Sequence, residues 1–80
     1  MQVDIPPAES LLTQCRDRDL ILNHKVTGRL DITKFKEAFM FVCPEITNEE
    51  IGDILRELQI PTEIIDYQVV INRMVQEKYI

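Results

Sequence analysis

The sequence predicts a single all-α domain of four amphipathic helices, arranged as two helix-loop-helix units. Three observations carry that prediction. Three separate segments repeat apolar residues at i, i+3, i+4 and i+7, the spacing of one helix face. Prolines and a capping signal punctuate the segments where helices should stop and start. The chain has 80 residues and is 45% hydrophobic, enough for one small core that buries roughly 60% of the unfolded surface.

The elements follow in order. Residues 1–9, with Pro6 and Pro7, are expected to form a flexible segment outside the packed body, which spans 10–80. The first helix starts after the proline pair and carries Leu12, Cys15 and Leu22 on one side, although the apolar run Leu20-Ile21-Leu22 blurs its phase. In the second helix Phe35, Ala38, Phe39 and Val42 make one stripe, and Pro44 ends it. The third opens on a capping box, Thr47 with Glu50, flanked by Ile46 and Ile51 as a hydrophobic staple. Its stripe is Ile51, Ile54, Leu55 and Leu58, with Pro61 just beyond. Tyr67, Val70, Ile71 and Met74 repeat the spacing in the fourth. Each stripe is too narrow to sustain an isolated helix in water, so the four must pack on one another.

The link between the first two helices has the layout of an EF-hand loop. Gly28 stands in the sixth place for the sharp turn, Leu30 in the eighth, and Phe35 just after the twelfth. The ligands are missing. Asn23, Lys25 and Thr27 occupy places that normally hold acidic side chains, and Lys34 replaces the bidentate glutamate. Asp31 is the one acid of the loop, set against Lys25, Arg29 and Lys34. A divalent cation about 4 Å from a single ammonium is repelled by roughly 2 kcal/mol even in water, so calcium is not expected there. The second link, Gln59 to Ile64, is one residue short, lacks the glycine and places Pro61 at a ligand position. Ile65 and Val70 match Leu30 and Phe35, and Leu30 and Ile65 are expected to pair in a short two-strand bridge between the loops.

The segment Leu30 to Leu58, LDITKFKEAFMFVCPEITNEEIGDILREL, resembles one lobe of calmodulin or of a myosin light chain, and IDYQVVINRM from Ile65 to Met74 resembles the closing helix of such a lobe. With one lobe where a full light chain has two, the chain is similar to the single-lobe light chains of amoeboid class I myosins. That resemblance implies an EF-hand pair acting as a calcium-independent light chain, which clamps an IQ-motif helix of a myosin heavy chain and stiffens the lever arm. It implies a cytoplasmic, cytoskeleton-associated protein that is a monomer when free and has no cofactor and no metal. By position in the resembling lobes, Phe39, Val42, Ile54, Leu58 and Met74 line the partner-helix groove, against the alternative that each is an ordinary core residue. Glu45, Glu50, Asp53 and Glu57 form an acidic rim that steers a basic helix, or else a merely solvated face.

Other functions are disfavoured by what the sequence lacks. The net charge of -5 suits a basic protein partner and opposes nucleic acid and anionic membrane. The amino terminus shows no basic stretch followed by an apolar region, and no apolar run reaches the length of a membrane span. Cys15 and Cys43 have no C-x-x-C spacing, so zinc is not expected, and both are read as free thiols buried in apolar surroundings. His24 has no serine or cysteine partner for nucleophilic catalysis and reads as a loop-surface residue. Ser10 in Glu-Ser-Leu lies too near the amino terminus for an acyl-carrier serine. No catalytic constellation is visible, and the competing reading is a non-myosin helix-binding adaptor of the cytoskeleton or of signalling.

Overall fold

A computed structural model describes residues 7–61 and 63–79. The element order is α1 (Pro7–Asn23), β1 (Arg29–Asp31), α2 (Ile32–Val42), α3 (Asn48–Glu57), β2 (Ile64–Asp66) and α4 (Tyr67–Gln76). The chain is therefore mostly helical, with one small sheet. Of the segment 1–9 expected to be flexible, residues 1–6 lie outside the described residues, and α1 begins at Pro7. Proline suits a first helical position, because its missing N–H has no partner there anyway and its φ is already helical. Ala8 then packs against the core.

The two strands form the expected bridge. They run antiparallel, with Arg29 opposite Asp66, Leu30 opposite Ile65 and Asp31 opposite Ile64. Alternation turns Leu30 and Ile65 inward and their neighbours outward, and the Ile32 N–H extends the ladder to the Glu63 carbonyl at 2.9 Å. Directly after each strand an aspartate starts the next helix. Asp31 accepts from the Lys34 N–H at 2.8 Å, and Asp66 accepts from those of Gln68 and Val69. The two halves of the chain thus repeat one device: an inward apolar residue, a capping aspartate, then a helix.

The core is the sum of the stripes. Phe35, Ala38 and Phe39 of α2 are buried, with the two phenylalanine rings edge to face at 6.1 Å. Ile51 and Leu55 of α3, and Tyr67, Val70, Ile71 and Met74 of α4, complete it. The capping box of α3 is formed in both directions: the Glu50 N–H donates to Thr47 Oγ1 at 3.1 Å, and the Thr47 N–H to Glu50 Oε1 at 2.9 Å. Three residues just past helix ends, His24, Gln59 and Lys78, take positive φ near 60°. After α3 and α4 the chain closes in a Schellman turn, Ile60 N–H to the Leu55 carbonyl and Tyr79 N–H to the Met74 carbonyl, each at 2.9 Å.

Two sequence expectations are corrected by α1 and by the end of α2. The inward face of α1 is Leu11, Cys15 and Asp19 at steps of four, with Leu12 half-buried and Leu22 half-exposed. The apolar run 20–22 lies in the last turn, beyond the part of the helix that the core covers, so only its phase and not its hydrophobicity decides what is buried. Cys15 is buried as expected, but Cys43 is exposed. It is the C-cap of α2, and with φ -131° and ψ 82° its backbone has already left the helix, so the four-residue step of Phe35 and Phe39 no longer carries it onto the core.

Candidate functional site

The first loop is organised around a carboxylate that the loop itself does not contain. Asp19, four residues before the loop, is fully buried, and its two oxygens collect five hydrogen bonds. Oδ1 accepts from Asn23 Nδ2 and Thr27 Oγ1, each at 2.8 Å. Oδ2 accepts from the backbone N–H groups of Thr27 and Gly28 and from the Tyr67 hydroxyl, again each at 2.8 Å. A carboxylate offers about four lone-pair positions, so none is left for a cation. Gly28 takes φ +83°, a left-handed conformation that only glycine adopts without strain, and this turns its N–H toward Asp19.

Electrostatics follow from that geometry. Burial by itself would raise the Asp19 carboxyl, but the donors Thr27, Tyr67, Asn23 and Gly28 outweigh it and hold the group well below the usual carboxylate range. The Tyr67 hydroxyl is pushed up to about 12, first by burial and then by donating to the Asp19 anion. Burial likewise pushes the Cys15 thiol up to about 12, against a smaller opposing effect of Arg18. Asp19 thus ties α1 to the loop and, through Tyr67, to the start of α4. One anion fixes the relation of the two helix-loop-helix units.

The degenerate loop positions divide accordingly. Asn23 and Thr27 turn inward to Asp19, whereas Lys25 is exposed and Lys34 leans on Glu37 at 3.7 Å. Among the described residues no group of three or more His, Cys, Asp and Glu side chains is gathered closely enough to hold a metal ion. Asp19 and Tyr67 were missed as site residues at the level of sequence. The signal was present: Asp19 continues the four-residue step of Leu11 and Cys15, an acid in phase with a buried stripe.

Of the five residues expected to line a groove, three are closed off from solvent. Phe39, Leu58 and Met74 are buried, while Val42 and Ile54 are half-buried and pack against the core from its edge. All four rim residues, Glu45, Glu50, Asp53 and Glu57, are exposed. Glu50 is engaged in the capping box, Asp53 meets Arg56 at 3.1 Å and Glu57 accepts from the Tyr79 hydroxyl. Glu57, Tyr79 and Glu77 thus lie together where α3 meets the end of α4. No described helix is long and apolar enough to cross a membrane. No family model, curated protein or solved structure matches this chain.

Proposed function

We infer that the chain is an EF-hand pair serving as a calcium-independent light chain, which binds an IQ-motif helix of a class I myosin neck, stiffens the lever arm and thereby associates with the cytoskeleton. The observation that supports this reading is the Asp19 cluster. In a calcium-binding lobe the ion gathers the loop; here a carboxylate from the incoming helix gathers it from the other side of the charge ledger, by accepting from the loop's N–H and O–H groups. A lobe ordered in this way needs no ion to reach its working state.

The buried positions of Phe39, Leu58 and Met74 correspond in this reading to a closed lobe. A partner helix must supply apolar anchors that replace their present neighbours, and its affinity is what remains after the cost of opening. Val42 and Ile54, half-exposed at the edge, are where such a helix first gains contact, and the exposed carboxylates of α3 attract its basic residues.

The test is a titration of an IQ-motif peptide of about 25 residues, labelled with tryptophan, in chelator and in millimolar calcium. The chain has no tryptophan of its own, so the signal belongs to the peptide. Sub-micromolar binding, one to one and equal in both buffers, is expected. Binding that requires calcium, or none in either buffer, overturns the proposal.

A further inference from the structure

α3 is set into the fold differently from the other helices. α2 starts directly at the end of β1 and α4 directly at the end of β2, and the two strands are paired. Asp19 adds α1 to this frame through the first loop and Tyr67. α3 continues neither strand. It hangs between two links, 43–47 with Pro44 and 58–63 with Pro61 and with Gln59 at φ 60°, and among the helices it packs mainly on α2. Its hold on the frame is apolar, through Ile51, Leu55 and Leu58.

One polar tie supplements that hold. Among the described residues, every hydrogen bond of α3 and its caps stays local except that of Glu57, which accepts from the hydroxyl of Tyr79, 22 residues further on. Both partners are placed for it. Lys78, with φ 65°, turns the chain back after α4, and the Tyr79 N–H is fixed on the Met74 carbonyl at 2.9 Å. Glu57 is the last residue of α3, where the negative end of the helix dipole disfavours a carboxylate. Arg56 beside it turns to Asp53 instead, so the Tyr79 hydroxyl is the donor that offsets the position of Glu57. An acid there goes against local helix preference, and such departures concentrate at functional or strained sites.

We propose that α3 opens as a unit of its own against the frame of α1, α2 and α4, and that the Tyr79 hydroxyl on Glu57 is the latch that holds it closed. A helix tied by one apolar face and a single polar contact opens at a lower free energy than elements joined by a sheet and a buried carboxylate. Opening uncovers Ile51, Leu55 and Leu58 together with the core that they cover. For a partner helix the latch is an inhibitory contact, a consequence that rests on the light-chain reading, whereas the latch itself does not.

Amide hydrogen exchange of the isotope-labelled full chain, followed by NMR under native conditions, reads the opening of each helix separately. In Tyr79→Phe, which removes only the hydroxyl, the amides of α3 are expected to exchange about threefold to tenfold faster, while those of α1, α2 and α4 keep their rates. In a Glu57→Ala background the same substitution should change nothing, because the acceptor is already gone. Both residues are exposed, and circular dichroism confirms that each variant remains folded. No acceleration in α3, a uniform acceleration of all four helices, or an equal acceleration in the Glu57→Ala background overturns the proposal. Titration with the IQ-motif peptide is a separate readout, in which Tyr79→Phe should tighten binding by the same factor. Faster α3 exchange with no peptide binding supports the latch and counts against the light-chain reading alone; faster exchange with unchanged affinity overturns the inhibitory role.

Discussion

Replacing Asp19 by alanine should destabilise the fold by about 3 kcal/mol, and the estimate can be built donor by donor. Five groups lose their acceptor. Asn23 and Thr27 are exposed, so water reaches their side chains and the Thr27 N–H at little cost. Tyr67 is 2% exposed, and its hydroxyl is left without a partner inside the core, at about 1–3 kcal/mol. The Gly28 N–H is half-buried and adds up to about 1 kcal/mol on the same basis. Losing the tie between α1, the loop and α4 then exposes these elements to local opening. A domain of this size is stable by about 4–12 kcal/mol, so the variant loses a large share of it, and its melting temperature falls by about 4–8 °C for each kcal/mol.

Urea unfolding followed by far-UV circular dichroism measures the loss, and its pH dependence isolates the cause. Asp19 has a folded-state pKa below its unfolded value of about 3.9. Its contribution is therefore complete above the ordinary carboxylate range and disappears as the pH falls through and below that range. Wild type should lose stability steeply below about pH 4, and Asp19→Asn, which has no charge to lose, should show a shallower acid limb. A loss under about 1 kcal/mol in Asp19→Ala, or parallel acid limbs in wild type and Asp19→Asn, would refute the view that this carboxylate organises the loop.

Three further outcomes follow from burial and backbone geometry. Under native conditions an aromatic disulfide reagent should modify Cys43 rapidly and Cys15 only on unfolding, since the first thiol is exposed and the second is buried with a raised pKa; equal rates would contradict the placement of Cys15. Gly52→Ala should stabilise the protein by about 0.5–1 kcal/mol in thermal melts, because the residue lies inside α3 and a methyl group there meets only the Lys36 Nζ at 3.6 Å, the movable end of a side chain. Met74→Ala and Phe39→Ala should each cost about 2–5 kcal/mol of folding stability, whereas Val42→Ala and Ile54→Ala at the edge should weaken IQ-peptide binding severalfold with a smaller loss of stability; the reverse ranking in paired melts and titrations would remove the groove from that edge.

What the sequence by itself determined was everything governed by local spacing. The stripes of α2, α3 and α4 face the core where the i, i+3, i+4, i+7 pattern puts them, with Val42 and Ile54 half-buried at its edge, and the Thr47–Glu50 box starts α3, because helix periodicity and caps involve residues within one or two turns of each other. The pairing of Leu30 with Ile65 was also legible, through the matching positions of the two links. Three things were decided only in three dimensions. Cys43 is exposed because the core ends before it, and Phe39, Leu58 and Met74 are interior because all four helices converge on them; an apolar stripe does not reveal whether its neighbour is core or a future partner. Asp19 became the centre of the first loop because Tyr67, 48 residues away, supplies a buried hydroxyl to it. An acidic residue among apolar ones becomes stable inside a protein only when such distant donors surround it, and donors of that kind are assembled by the tertiary fold, not by adjacency along the chain.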